Sequence, residues 1–163
     1  METHCSEQLN PMANPVCEVL VTDARLTAPE NRVDAAAGAR VDFQGIVRGS
    51  EDGREIEGID YEAHREMAEH QLKQIANQAA IKFGLRSVII HHRIGFVTVG
   101  EPSLFMQVCS GHREAAFQAG RWIVDELKKK VPIWKRPRFK SKNSAAGVAD
   151  AGPGSPISAT GKA

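Results

Sequence analysis

A short polar motif at residues 110–113, Ser-Gly-His-Arg, is the strongest local candidate for binding an anion. It stands where an apolar, strand-like run gives way to a helical pattern, and the first amides of a helix have no partner within that helix. Arg113 adds a planar set of donors suited to phosphate or carboxylate, and His112 adds a donor whose charge changes near neutral pH. The alternative interpretation is that both side chains only decorate the surface at a helix start.

A basic run at residues 128–138, interrupted by an apolar tripeptide, offers lysine chemistry. The helix dipole stabilises cations at a helix C-terminus, so the lysines at 128–130 also have a purely structural explanation. Lys135 differs from them because Pro132 and Trp134 are expected to hold it in place. A positioned lysine can donate a proton or clamp an anion.

Three further candidates lie on predicted strands. Arg48 ends a strand in which Gly45 indicates a bulge or a close backbone approach. Arg48 is therefore either a ligand contact or a solvated charge beside an acidic turn. His91 and His92 lie inside another strand, where alternation predicts that one faces the core and the other faces solvent. No cysteine or acidic residue stands at ligand spacing from them, so we expect no metal and no cofactor.

The spacing of two candidates constrains how they could act together. Arg113 and Lys128 are fifteen residues apart on one predicted helix, which corresponds to roughly 22 Å along its axis. They cannot easily grip one small ligand within a single subunit. A two-fold dimer that brings the helix start of one subunit near the helix end of the other would resolve the conflict.

The elements that position these residues follow from apolar periodicity. Residues 17–22 predict a first strand, and residues 39–47 and 56–61 predict a hairpin around the turn-forming cluster at 49–53. After residue 62 the period becomes helical and Gly84 is placed to end the helix. The apolar stripe of that helix comprises Met67, Leu72, Ile75, Ala79 and Phe83.

A second strand pair and a second helix follow. Residues 87–94 and 103–109 predict another hairpin. From Arg113 to Lys130 the helical face contains Ala116, Gly120, Ile123 and Leu127, with Phe117 and Val124 beside them, until Pro132 ends the helix. Two hairpins, each followed by a covering helix, predict an α+β domain with a largely antiparallel sheet.

Composition limits the classes of protein to which the chain can belong. Its 163 residues suit one domain, predicted at 16–140, between tails at 1–15 and 141–163 that are expected to be disordered. A formal net charge of +1 gives no general attraction to nucleic acid or membrane. Three cysteines without metal or redox spacing, and no apolar run of about 20 residues, predict a cytoplasmic protein.

Several motifs, taken in order, resemble the molybdopterin synthase large subunit. They are Phe-Gln-Gly-Ile-Val-Arg at 43–48, Tyr-Glu-Ala at 61–63 with Met-Ala at 67–68, His-Arg-Ile-Gly at 92–95, Val-Gly-Glu at 99–101, Ser-Gly-His-Arg-Glu-Ala-Ala-Phe at 110–117 and Val-Pro-Ile-Trp-Lys at 131–135. The ordered set spans about 60% of the chain and is more specific than any one motif.

The resemblance implies a fold, a reaction and partners. The fold is the α/β-hammerhead of that family. The reaction converts cyclic pyranopterin monophosphate, called precursor Z, into molybdopterin by adding two sulfurs as a dithiolene. A small ubiquitin-like subunit donates the sulfur from a thiocarboxylated Gly-Gly C-terminus. The implied assembly is a homodimer of large subunits within a heterotetramer, without nucleic acid or membrane.

The resemblance also implies residue roles. Lys128 and Lys135 correspond to the family's two functional lysines, and either could hold the thiocarboxylate tail or stabilise the developing charge. The substrate-binding residues would be Arg48, His112, Arg113 and Arg136, with His112 and Arg113 reaching the neighbouring subunit's site. Two departures stand out: Pro137 where a glutamate is common, and His64-Arg65 where Tyr-Pro is frequent.

Two other classes of protein remain as alternatives. Pro137 and the unusual tail would suit a catalytically impaired scaffold that keeps the fold and still binds the small subunit. The basic run could belong to a phosphate- or RNA-binding module, although binders of single strands usually pair basic grooves with several stacking aromatics. Residues 128–140 contain one tryptophan.

Overall fold

The computed structural model describes residues 14–29 and 35–141. They form an α+β fold, as predicted. Apart from residues 14, 15 and 141, the predicted tails lie outside the described residues. The elements in chain order are β1 (Val16–Thr22), β2 (Ala39–Ile46), β3 (Ser50–Glu51), β4 (Arg54–Ala63), α1 (Arg65–Phe83), β5 (Leu85–Arg93), β6 (Gly95–Thr98), β7 (Pro102–Ser110), α2 (Arg113–Lys130) and β8 (Ile133–Phe139). Neither helix is long and apolar enough to span a membrane.

The first sheet has the strand order β1-β5-β7-β2, with β1 parallel to β5 and the other pairs antiparallel. The predicted hairpin of β5 and β7 is therefore confirmed. Both helices pack on one face of this sheet, where Leu72, Ile75 and Ile123 are fully buried. The prediction that Met67 belongs to the buried apolar stripe of α1 is wrong, because Met67 is 52% exposed. Gly84 ends the helix in the left-handed conformation, as expected.

The first predicted hairpin is wrong, because β2 pairs with β7 and not with β4. Asp52 and Gly53 both have positive φ, which is typical of a two-residue hairpin turn. Such a turn joins only the residues directly beside it, so β3 pairs with the start of β4. The second sheet has the strand order β3-β4-β6, and β8 pairs with the other side of β4. The chain crosses to this sheet at Val47, which is buried in one cluster with Ile56 and Val97. The predicted irregularity at Gly45 is confirmed by a register shift there.

Strand β8 was not predicted, because residues 133–139 contain a proline and three basic residues. It nevertheless pairs antiparallel with β4 over most of its length, and Pro137 lies opposite Ile59. Among the described residues β8 pairs with no other strand. Proline, which lacks an amide donor, is tolerated at such an edge. The basic run therefore continues from the end of α2 onto an edge strand of the second sheet.

Candidate functional site

The passage from β7 into α2 has the strand-to-helix geometry that the motif at 110–113 predicted. Ser110 is buried, and its hydroxyl donates a 2.5 Å hydrogen bond to the carbonyl oxygen of His112. His112 is the N-cap residue with extended backbone, and its side chain makes no capping hydrogen bond. His112 and Arg113 are both exposed. The buried serine holds the backbone while the imidazole and the guanidinium remain available to a ligand.

The segment before β2 packs tightly against this junction. A Cβ atom at Gly38 would lie 2.2 Å from the carbonyl oxygen of Gly111, which no side chain could tolerate. The close approach of two backbones requires glycine at position 38. The start of α2 is therefore held from two sides.

Three consecutive lysines, Lys128, Lys129 and Lys130, end α2 just before its C-cap residue Val131. They differ in their ion pairs. Lys129 lies 3.6 Å and Lys130 lies 2.5 Å from carboxylate oxygens of Glu126. These contacts lower the pKa of Glu126, the hydrogen bond from Lys130 contributing most. Lys128 is exposed, and no carboxylate of the described chain lies within ion-pair distance of it.

Lys135 is positioned differently from the way predicted. Trp134 is 58% exposed, and alternation along a strand directs its side chain away from that of Lys135. Pairing of β8 with β4 holds the lysine instead, because Lys135 lies directly opposite Tyr61. Residues directly opposite each other in an antiparallel pair project from the same face of the sheet. Lys135 is exposed and Tyr61 is buried on that shared face.

A buried aromatic pair lies beneath Lys135. The rings of Tyr61 and His92 meet edge to face at 5.5 Å, and His92 Nδ1 is 2.8 Å from the carbonyl oxygen of Arg93. Since a carbonyl only accepts, Nδ1 carries the proton in the neutral ring. Burial, assisted by the positive charge of Lys135, lowers the pKa of His92 to about 4. Burial also raises the pKa of Tyr61, against a hydrogen bond with Ser103.

The prediction that one of the two adjacent histidines faces solvent is wrong, because both are buried. His91 Nε2 lies 2.9 Å from Glu18 on the sheet face opposite the helices. That face is lined by the segment after β1, including Arg25 and Leu26, so the outer histidine is covered as well. Within residues 14–29 and 35–141 no group of three potential metal ligands is assembled.

Arg48 and Arg136 both have acidic neighbours. Arg48 is largely exposed and lies 3.4 Å from Glu51 in the neighbouring turn, the arrangement foreseen as the alternative to ligand binding. Arg136 lies 3.0 Å from Glu62 on β4. Exposed pairs such as these contribute little to stability, so either arginine can exchange its carboxylate for a ligand anion at small cost. Glu62 therefore supplies a carboxylate beside β8.

Within one chain, the structure divides the six candidates among separate regions. His112 and Arg113 stand at the start of α2, and Lys128 stands in its last turn. Lys135 and Arg136 follow on β8, while Arg48 lies between β2 and β3. Helix α2 is continuous from Arg113 to Lys130, so the estimated separation of roughly 22 Å between Arg113 and Lys128 applies. His92 was considered only as a metal ligand and Tyr61 was given no role, although both lie in motifs that carry the resemblance, at 92–95 and 61–63.

Comparison with known proteins agrees with this architecture. A family model described as "MoaE protein" matches residues 19–130. The molybdopterin synthase catalytic subunit of Thermoplasma volcanium is 38% identical over 135 residues, covering 82% of this chain and 98% of that protein. The crystal structure of molybdopterin synthase from Staphylococcus aureus superposes with a TM-score of 0.69 at 31% identity, covering 76% of this chain and 90% of that one.

A more distant chain shares the fold. It comes from the complex of subunits 1 and 2 of the molybdopterin-converting factor of Helicobacter pylori, with a TM-score of 0.55 at 18% identity, and the match covers 78% of this chain and 92% of that one. The family match extends over more than half of the chain and includes both helices and the Ser-Gly-His-Arg motif at 110–113. The chain therefore belongs to the MoaE family of molybdopterin synthase catalytic subunits, enzymes of molybdenum cofactor biosynthesis.

Proposed function

We propose that the protein transfers two sulfurs, one at a time, from the thiocarboxylated C-terminus of a small ubiquitin-like subunit to precursor Z, yielding molybdopterin. In each transfer the terminal sulfur forms a bond to a substrate carbon as that carbon's bond to an oxygen breaks; the oxygen leaves as phosphate when the cyclic phosphate opens in one transfer, and as water in the other. Hydrolysis of the resulting thioester leaves the sulfur on the substrate and returns the small subunit as a carboxylate. Both partners of the reaction are anionic, since one carries a phosphate and the other a thiocarboxylate. The site must therefore supply positive charge that is not already neutralised.

The single observation that carries this proposal is the difference between Lys128 and its neighbours. Lys129 and Lys130 share the carboxylate of Glu126, whereas Lys128 has no carboxylate within ion-pair distance among the described residues. A surface lysine without a carboxylate partner can bind an anionic ligand without first giving up an existing ion pair. In this proposal Lys128 holds the thiocarboxylate tail of the small subunit.

Lys135 is assigned to the chemical step. Its backbone is held by β4, and the two rings beneath it are buried, so its side chain has a defined base. A positioned ammonium group can stabilise the negative charge that develops as the thioester forms, or protonate a leaving oxygen. Such groups contribute about 100-fold or more to the rate.

The residues at the start of α2 are assigned to binding the substrate. Arg113 and His112, whose side chain makes no capping hydrogen bond, bind the phosphate and pterin of precursor Z. Arg48 and Arg136 contribute to the same binding. Since Arg113 and Lys128 are separated along one helix, they act in one site only if the protein is a homodimer. The working assembly is a heterotetramer with one small subunit on each catalytic subunit, located in the cytoplasm.

Reconstitution tests the reaction directly. The protein, a thiocarboxylated small subunit ending in Gly-Gly and precursor Z are mixed, and molybdopterin is measured after oxidation to a fluorescent product. We expect Lys128→Ala and Lys135→Ala each to lower the rate by about 100-fold or more. Lys129→Ala is the matched control, because its side chain is already paired with Glu126.

Two outcomes would contradict the assignment. If Lys128→Ala and Lys129→Ala had equal activities, the unpaired charge would have no special role. If Lys135→Ala retained the wild-type rate, the protein would act as a scaffold or through other residues. Urea unfolding of each variant controls for stability, which we expect to be unchanged because all three lysines are exposed.

A further inference from the structure

His92 lies where the first sheet meets the second. In the first sheet, the row of paired residues that contains His92 crosses β7 and ends at Gly45, close to the end of β2. In the second sheet, Tyr61 contacts the His92 ring and pairs with Lys135. His92 therefore lies between the strand end that leads to Arg48 and the edge strand that carries Lys135.

Helix α2 brings Lys128 to the same end of the first sheet. Strand β7 has 9 residues and extends about 30 Å, and α2 has 18 residues and extends about 27 Å. Only residues 111 and 112 separate the two elements, and α2 packs back against the sheet. Its last turn therefore returns to the level of the start of β7, where the chain pairs with His92. Both lysines of the proposed function lie at the end of the fold that contains this histidine.

The two ring nitrogens of His92 are used differently. Nδ1 donates a hydrogen bond to the Arg93 carbonyl oxygen, so Nε2 of the neutral ring has a lone pair and no proton. In the part of the chain that the structure describes, Nε2 has no hydrogen-bond partner. It is not sealed from solvent either, because the only fully buried side-chain nitrogen or oxygen without a partner in that part is Arg93 Nε. His92 is 5% exposed and still offers an open acceptor to water.

The other polar groups near this histidine are less suited to accept a proton. Lys135, in the charged form that helps to lower the pKa of His92, has donors only. Burial raises the pKa of Tyr61 and so keeps its hydroxyl protonated at neutral pH. Glu51, the carboxylate whose charge acts on Tyr61, is paired with Arg48. Burial holds the pKa of His92 at about 4, so its base form is almost fully populated at neutral pH.

We propose that His92 Nε2 is the proton acceptor for the water molecule that hydrolyses the thioester in each sulfur transfer. This assignment rests on the proposed function, because that reaction forms a thioester between the small subunit and the substrate. Water adds to the thioester carbonyl carbon and gives one proton to Nε2. The intermediate then expels the sulfur with the electron pair of the carbon–sulfur bond, and the imidazolium returns its proton to that sulfur. The other proton of the water stays on the new carboxyl group and is lost to solvent.

Lys135 and His92 support each other in this step. The ammonium group stabilises the oxyanion of the intermediate, and the oxyanion stabilises the imidazolium that forms beside it. A positioned proton acceptor contributes about 100-fold or more to the rate of such a step. Formation of the carbon–sulfur bond does not depend on His92, because the thiocarboxylate is already an anion and needs no base to become a nucleophile.

Single-turnover kinetics separate the two steps. The protein, precursor Z and a limiting amount of thiocarboxylated small subunit are mixed and quenched at intervals. Mass spectrometry then distinguishes the thiocarboxylate, the adduct with the substrate and the carboxylate. We expect His92→Asn, which keeps the donor to Arg93, to form the adduct at nearly the wild-type rate and to hydrolyse it about 100-fold more slowly. The adduct should therefore accumulate in the variant, whereas damaged packing alone would slow both steps.

His91→Asn is the matched control. His91 is also buried, but its Nε2 is already bonded to Glu18 on the other face of the sheet, so both rates should stay near those of the wild type. His92→Gln is the second variant. Its side chain can present an acceptor oxygen near the position of Nε2 but cannot take up a proton, so hydrolysis should be as slow as in His92→Asn. Far-UV circular dichroism at pH 7.5 confirms that each variant is folded.

Several results would overturn the role of His92 and leave the proposed reaction intact. They are wild-type hydrolysis in His92→Asn or His92→Gln, equal slowing of both steps, and equally slow hydrolysis in His91→Asn. Hydroxylamine, which cleaves thioesters without a general base, should release the small subunit from the accumulated adduct. If the adduct resisted hydroxylamine, or if the wild type formed neither adduct nor molybdopterin, the proposed reaction would be refuted and the assignment of His92 with it.

Discussion

His92 provides a pH-dependent test of how the second sheet is held against the first. Its ring is 5% exposed, contacts Tyr61 and donates a hydrogen bond to the Arg93 carbonyl oxygen. Burial and the nearby Lys135 charge hold its pKa at about 4, below the ordinary value of 6.5. In the unfolded chain the same histidine takes up a proton near its ordinary pKa. Protonation therefore favours the unfolded state between these two values.

The magnitude follows from the width of that interval. Between pH 6.5 and about 4 the unfolded chain carries a proton at His92 that the native state does not. At about 1.4 kcal/mol per pH unit, the native state loses about 3 kcal/mol of stability over this range. The stability that depends on neutral His92 is fully present above pH 6.5 and is lost as the pH falls toward about 4. Below that pH, His92 causes no further loss of stability.

His92→Asn is the informative variant. The asparagine amide can still donate to the Arg93 carbonyl oxygen, but it has no charge to gain in this pH range. Because asparagine is smaller than histidine and leaves part of the buried site unfilled, the variant will be less stable than the wild type at neutral pH. The measured quantity is the free energy of unfolding in urea at pH 7.5 and at pH 4.5, for wild type and variant. Carboxylates such as Glu101 contribute equally to both proteins and cancel in the comparison.

We expect the advantage of the wild type over His92→Asn to shrink by about 2 to 3 kcal/mol between these pH values. A difference that did not change with pH would refute the conclusion that His92 is kept neutral by burial. Lys135→Met serves as a second control. Removing its charge should raise the pKa of His92 slightly and so reduce the stability lost between pH 7.5 and pH 4.5 by a small amount, since the lysine is a smaller cause than burial.

Two stability predictions test other packing details. Gly58→Ala should lower the free energy of unfolding by about 2 to 4 kcal/mol, because the new Cβ would lie 2.4 Å from the Val97 carbonyl oxygen; a loss below 0.5 kcal/mol would contradict this contact. His64→Asp should raise stability by about 1 kcal/mol, since the present cap of α1 is a long 3.5 Å contact from the Met67 amide to the imidazole and aspartate is a better N-cap. An unchanged thermal midpoint would show that the imidazole already caps the helix.

Local patterns predicted the helices better than the sheets. The stop of α1 at Gly84 and the buried face of α2 depend on residues only three or four positions apart. The pairing of strands depends on segments far apart in the chain. Alternation identified β2 and β4 as strands but carried no information on their partners, and the tight turn at Asp52 and Gly53 decided that they separate.

The candidate site shows the same division. The motifs at 110–113 and 131–135 contain the types of side chain that bind and activate anions, and the ordered set resembled the family before any fold was considered. Residue type and spacing did not separate Lys128 from Lys129 and Lys130, and only the resemblance to the family singled it out. The helix surface does so, because Glu126 is within reach of two of the three ammonium groups.

The sequence by itself determined the family, the two helices and the kinds of charged groups that carry the proposed chemistry. Those properties are written in residue types and short spacings. Only the tertiary structure decided that β8 lies on β4, that both adjacent histidines are buried and that Glu126 pairs with Lys129 and Lys130. Each depends on which distant segments come into contact, and burial or a neighbouring charge acts only once that contact exists.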